Sequence, residues 1–290
     1  MKVYLDCIPC FLRQALEAAR WGTEDARKQR AVLDEVAVLI PGLPIDATPI
    51  DMGREIHRVV KEVTEVSDPY WEVKRRCNDR ALELSSQFRE HVIASSDPLL
   101  VALKLAAASN VIDFAVHSNF SLERSIEESL GDACRLADYA LLKERLKQVA
   151  EVLYLGDNAG EIVFDKIVTE QLATLGKEVT YVVRGEPIIN DVTIEDAAYV
   201  GMDDVAEVIP NGSDGPGTSL RWCCPEFIAR FKDAGLIISK GQGNFEGLSD
   251  EQAPIFFLLK VKCPVVAREL GVDIGKIILR AQKDWRKSAE

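Results

Sequence analysis

The chain has 290 residues, 47% hydrophobic and 28% charged, enough for one large domain or two modest ones with a proper core. A net charge of −12 argues against duplex nucleic acid or an anionic membrane as the main partner, while leaving room for a small anionic substrate at a locally positive site. Asp6 and Pro9 interrupt the start as a signal peptide, the greasiest run (Ile255-Phe-Phe-Leu-Leu259) is too short for a membrane span, and seven cysteines suit no disulfide framework, so a cytoplasmic protein is expected.

Apolar residues at helical spacing predict helices over 11–20 and 27–40, the second stopped by Pro41-Gly-Leu-Pro44. Residues 52–65, 70–93 and 97–116 predict three more, with Asp68-Pro69 and Asp97-Pro98 each supplying an N-cap followed by proline. Residues 122–148 predict one or two further helices, and no strand is expected before about residue 150. There the period changes. Short β-rich runs occupy 152–155, 179–183, 207–209 and 236–239, with helical stretches at 162–175 and 225–234. Residues 256–261 and 276–279 are expected as strands at an edge. Strands alternating with helices imply a parallel sheet covered on both faces, so the fold class is α/β, with a helical domain over 1–150 and the sheet domain over 151–290.

Four polar clusters stand out in the second half. Gly156-Asp-Asn-Ala-Gly-Glu161, Arg184-Gly-Glu-Pro-Ile-Ile-Asn-Asp191 and Ser239-Lys-Gly-Gln-Gly-Asn-Phe-Glu246 each directly follow a predicted strand; the fourth is the loop Asn211-Gly-Ser-Asp-Gly-Pro-Gly-Thr218. In a parallel sheet the ends of such strands open on one edge and converge on one crevice. Asp157, Asn158 and Asp191 offer two carboxylates and an amide oxygen, a set that suits magnesium or manganese. Lys240 and Arg184 supply positive charge for a phosphoryl group, and Gly241 and Gly243 let backbone N–H groups approach it. Each feature also has a plainer reading. Asp157 and Asp191 are residues that form turns and caps, Glu161 is an acid in a first helical turn, and Lys240 is a solvated loop lysine.

Cys7-Ile-Pro-Cys10 lacks the second pair that would complete a structural zinc site, and no strand precedes it as in a thioredoxin motif. It is read as packing that docks the N-terminus, with a redox or metal role as the alternative. His57, His91 and His117 share no metal spacing. Asn110 and Asp113 lie on one face of an apolar helix, where they either bond between helices or, in the functional reading, line the same crevice with Asn110 reaching metal or substrate.

These residues resemble the metal-dependent damage-control phosphatases, the acidic-residue-methyltransferase-like family formerly called domain of unknown function 89. The motifs that carry the resemblance are Gly156-Asp-Asn-Ala-Gly-Glu161, Arg184-Gly-Glu-Pro-Ile-Ile-Asn-Asp-Val-Thr193 and Lys240-Gly-Gln-Gly-Asn-Phe-Glu246. Cys7-x-x-Cys10, Asp68-Pro-Tyr70 and Asn110-Val-Ile-Asp113 are similar to its archaeal-type branch, with Ser109 standing where the family pattern has glycine. The resemblance covers nearly the whole chain. It implies a helical region on a three-layer, Rossmann-like α/β/α domain with a mainly parallel sheet. It also implies a divalent cation (manganese, cobalt, nickel or magnesium) held by Asp157, Asn158 and Asp191, a phosphate contact from Lys240, and Glu161, Arg184 and Asn244 close by.

The expected activity is metal-dependent hydrolysis of small phosphate monoesters, sugar phosphates or damaged phosphometabolites. Asp157, Lys240 and Glu161 are expected in catalysis, and Arg184, Asn244, Asn110, Gly241 and Gly243 at the substrate. Water is the expected nucleophile, because a carboxylate that ligates metal is a weakened one. The rivals are a carboxyl methyltransferase and a non-enzymatic regulator that binds metal or a phosphometabolite. Oligomeric state leaves no mark on the sequence.

Overall fold

The structure, a computed structural model, describes residues 1–44, 46–109 and 136–282. Its first half holds helices α1 (Cys7–Gly22), α2 (Ala26–Leu39), α3 (Pro49–Thr64), α4 (Trp71–Ala94) and α5 (Pro98–Ala108). Local chemistry fixes several of their starts. Asp25, Thr48 and Asp97 are N-caps whose side chains accept first-turn N–H groups, and Thr48 shares a reciprocal capping box with Asp51. The expected cap at Asp68 is displaced. There α4 begins at Trp71, while Asp68 accepts the Tyr70 N–H through one oxygen and pairs with Lys74 through the other.

The second half begins with α6 (Tyr139–Leu146). It then alternates β1 (Glu151–Leu155), α7 (Glu161–Thr174), β2 (Glu178–Val183), α8 (Ile194–Tyr199), β3 (Glu207–Pro210), α9 (Pro225–Asp233), β4 (Ile237–Lys240), α10 (Gly241–Leu248), β5 (Ile255–Lys260), α11 (Pro264–Leu270) and β6 (Ile277–Ala281). The sheet order is β3-β2-β1-β4-β5-β6, parallel except for the antiparallel edge strand β6. Of the two late runs expected at an edge, only β6 lies there. β5 sits between β4 and β6, because a continuous apolar run suits a strand buried on both faces. Among the described residues no helix is long and apolar enough to cross a membrane.

Side chains alternate across the sheet with period two. Leu153, Leu155, Val182, Ile237 and Phe257 pack with Phe227, Phe245 and Val265 on one face. Tyr154, Tyr181, Ile238 and Phe256 point the other way, into a cluster that also holds Phe11, Val36, Ile56, Cys77 and Leu103 of the helical half. Helices and sheet therefore share that core without a break at residue 150. Phe88 of α4 meets Phe164 of α7 edge-on at 5.9 Å, both buried, a contact whose truncation costs about 3–5 kcal/mol.

The strand order reverses between β1 and β4: the chain leaves β1 for β2 and β3 on one side, then returns to β4 on the other. At such a switch point the loops after the two central strands diverge and leave a crevice at their carboxyl ends.

Candidate active site

All four polar clusters converge at this edge, and the loop from Asn211 to Thr218 also directly follows a strand, β3, the run expected over 207–209. The loops after β1 and β2 are held side by side by an isolated antiparallel bridge between Asn158 and Asp191. Its two bonds run from Ala159 N–H to Asn190 O (2.8 Å) and from Val192 N–H to Asp157 O (2.9 Å). Asn158 and Asp191 are thus a directly opposed, non-hydrogen-bonded pair, the kind whose Cα atoms lie about 4.5 Å apart with side chains close together. Ile189, two residues ahead of Asp191, has φ 44°, a conformation that a β-branched residue avoids and that costs about 1–3 kcal/mol.

Asn158 donates from Nδ2 to Asp157 Oδ2 (2.9 Å) and to Glu161 Oε1 (2.8 Å), which leaves its amide oxygen for a ligand. Asp191 Oδ2 accepts from Arg184 Nε (2.6 Å) and from the Gly217 N–H (3.0 Å). The remaining Arg184 nitrogens reach Thr218 Oγ1, Gly156 O and Asn244 Oδ1, with Asp157 Oδ1 4.0 Å away. Arg184, expected at the phosphate, is wholly buried and bonds residues of both loops. Asn244 is equally buried and donates to Gly156 O (3.0 Å) and Lys240 O (2.7 Å), tying β4 to β1.

Lys240 is not a solvated loop lysine. It ends β4, is 1% exposed, and donates to Glu161 Oε2 (3.0 Å) and Asp165 Oδ1 (2.8 Å). Asp165 also accepts from the phenols of Tyr154 and Tyr181, both at 2.9 Å. Burial pushes the two phenols well above their ordinary range, so they stay donors. Burial would strip the proton from Lys240, but Asp165 and Glu161 outweigh it and hold the ammonium charged.

The segment after Lys240 is no loop but helix α10. Gly241, its first residue, has φ +82°, and a Cβ there would lie 1.9 Å from Asp157 Oδ2. Gly243 backs onto Gly217, where an added Cβ would meet the Gly243 carbonyl carbon at 2.6 Å. Backbone-on-backbone contact at this point sets the Gly217 N–H against Asp191.

Among the described residues, Asp157, Glu161, Asp165 and Asp191 are four buried carboxylates, against the two buried cations Lys240 and Arg184. Burial, then the charges of Glu161 and Asp191, push the Asp157 carboxyl well above its usual range. A crowd of carboxylates and hard oxygen donors fits a divalent cation, whose charge would favour the ionised form of Asp157. Among the described residues no three His, Cys, Asp or Glu side chains converge as a ligand group, so such a cation depends on the Asn158 amide as its third protein oxygen.

The chain matches known proteins over nearly its whole length. A family model described as the damage-control phosphatase ARMT1-like domain matches residues 3–278. The chain belongs to this damage-control phosphatase family. An uncharacterized protein of Methanocaldococcus jannaschii is 36% identical, covering 96% of this chain and 95% of its own. A protein named damage-control phosphatase from Archaeoglobus fulgidus is 34% identical over 97% of this chain and 99% of its own. The crystal structure of a DUF89 family protein from Pyrococcus horikoshii superposes with a TM-score of 0.90 at 34% identity, covering 98% of this chain and all of that one.

Other expected positions of this damage-control phosphatase family member fall elsewhere. Asn110 and Asp113 lie outside the described residues. Cys7 packs half-buried between the two cores and Cys10 is exposed; burial raises both thiols, the opposite of an activated cysteine. His57 is buried and held neutral, pushed down to about 3. Sequence reasoning missed Asp165, Tyr154 and Tyr181. The available signal was an acid four residues after Glu161 on an apolar helix and a phenol in each of two buried strands.

Proposed function

We propose that the chain is a divalent-metal-dependent phosphomonoester hydrolase acting in the cytoplasm on a small phosphorylated metabolite. The observation that carries this reading is the buried pair Asp157 and Asp191, brought together by the Asn158–Asp191 bridge at the switch point of the sheet, where, among the described residues, four buried carboxylates face two buried cations. Asp157, Asn158 and Asp191 are the residues that hold the cation, manganese, cobalt, nickel or magnesium. When bound, such a cation supplies Lewis-acid polarisation of the phosphoryl group and eases ionisation of water.

The chain's own groups do the rest. Two of the three Lys240 donors are spent on Glu161 and Asp165, which aim the ammonium and leave one N–H for phosphoryl charge. The first turn of α10, with Gly241 and Gly243, offers helix-end N–H groups to the same anion. Arg184 and Asn244 act from below by fixing Asp191 and the carbonyl of Gly156.

Phosphate release from an aryl phosphate, measured with chelator and with added Mn²⁺, tests the reading. Hydrolysis is expected only with the cation. Asp191→Ala is expected to abolish it while far-UV circular dichroism stays unchanged. Turnover in chelator equal to that in Mn²⁺, or an active Asp191→Ala variant, rejects the metal site.

A further inference from the structure

The bridge between the two ligand loops consists of two backbone hydrogen bonds, to which Arg184 adds its bonds to Asp191 and the Gly156 carbonyl. A buried polar chain from the helical half reaches both loops. Asn78, on α4 and fully buried, accepts the Gly160 N–H through Oδ1 at 2.6 Å. Its Nδ2 donates to Asp196 Oδ1 at 3.2 Å. The other oxygen of Asp196 accepts from Thr193 N and Thr193 Oγ1, both at 3.0 Å, and from Lys74 Nζ at 3.1 Å. Lys74 is anchored in turn by Asp68 at 3.0 Å.

The order of donors and acceptors gives this chain its direction. Because Asp196 can only accept, the Asn78 amide must present its nitrogen there and its oxygen to Gly160. Gly160 lies two residues after Asn158, and Thr193 two residues after Asp191, so each arm grips one ligand loop just beyond its ligand. Burial opposes the Lys74 charge, but Asp196 and Asp68 outweigh it, so the chain keeps a cation at its root.

We propose that Asn78 and Asp196 are positioning residues that fix the spacing of the two ligand loops and thereby set the affinity for the divalent cation. The proposal rests on the metal reading above. It also gives a role to the Asp68-Pro-Tyr70 motif, as the anchor of Lys74.

The test measures Mn²⁺ affinity by calorimetry on the purified full chain. Asn78→Asp and Asp196→Asn each place like against like, acceptor on acceptor or donor on donor, and each is expected to weaken Mn²⁺ binding about 10–100-fold. The double variant Asn78→Asp/Asp196→Asn again faces a donor with an acceptor and is expected to recover to within about threefold of the unaltered protein, a coupling that only directly interacting residues show. Val92→Ala, a buried cavity further along α4, is expected to lower the unfolding midpoint with Mn²⁺ affinity unchanged. In the metal-free, unaltered protein the Gly160 and Thr193 amides are expected to exchange slowly with deuterium. Exchange at the rate of free loop amides overturns the proposal even where a variant fails to fold. So do single variants that bind Mn²⁺ normally, a double variant no better than the singles, or a Val92→Ala as weak as they are. If the unaltered protein takes up no Mn²⁺, the metal reading itself falls, and the proposal falls with it.

Discussion

Replacing Gly241 by alanine adds one methyl group and removes no functional atom, yet it should disable the site. The new Cβ would stand 1.9 Å from Asp157 Oδ2 and 2.2 Å from its Cγ, where real Cβ contacts stay beyond 3.0 Å. The carboxylate has to retreat by about 1 Å, and a misplacement of that size costs on the order of 10²-fold in rate. The φ of +82° adds backbone strain of about 1–2 kcal/mol. Gly176→Ala separates the two effects, because Gly176 has φ +72° but open space around its Cβ. In urea unfolding Gly176→Ala should lose only the stability that the φ strain costs, and Gly241→Ala at least that much. Only Gly241→Ala should lose Mn²⁺ affinity and Mn²⁺-dependent aryl phosphate hydrolysis. If Gly241→Ala binds Mn²⁺ and turns over like Gly176→Ala, Asp157 is not a ligand and the argument from its cradle fails.

Lys240→Ala leaves Glu161 and Asp165 buried without their cation, which should cost about 3–5 kcal/mol of stability. Its turnover should fall about 10²–10³-fold, more than its Mn²⁺ affinity; equal losses would make the lysine purely structural. The Cys7→Ser/Cys10→Ser double variant should keep full turnover with at most a lower melting temperature, and a stoichiometric zinc content in the unaltered protein would refute this. Asp97 caps α5 and also accepts from Tyr139 and Lys143; although burial works against it, those bonds hold its carboxyl below the usual range. A depressed folded pKa contributes stability that is present above the unfolded value of about 3.9 and lost as pH falls through the folded one. Asp97→Ala should therefore cost about 1 kcal/mol near neutral pH, with the gap to the unaltered protein closing in acid; a gap constant with pH would exclude the ionised cap.

The parallel sheet was legible because its strands are short apolar runs punctuated by Gly and Asx, and the polar segments after β1, β2 and β4 announce themselves by composition. Burial was not legible. Arg184 and Lys240 read as cations for a ligand, and nothing local shows that Asp191 in one case, and Glu161 and Asp165 in the other, already hold them. Lys74 and Asn78 stand four apart on a mostly polar helix, and only the packing of α4 on α7 reveals that this face is the inner one. The strand at 207–209 and the polar loop after it were both legible, but the packing of Gly217 on Gly243 that brings this loop to the others was not.

The unbroken core has a bearing on how such chains diversify. A crossover between two relatives at residue 150 would inherit the helices from one parent and the sheet face from the other. Partners such as Phe88 and Phe164 would then meet as strangers. Interiors this closely packed tolerate volume changes poorly, so most chimeras made there should fail to fold. Changes of substrate preference are then expected to accumulate by point substitution at the rim of the crevice, with the two halves descending together as one heritable unit.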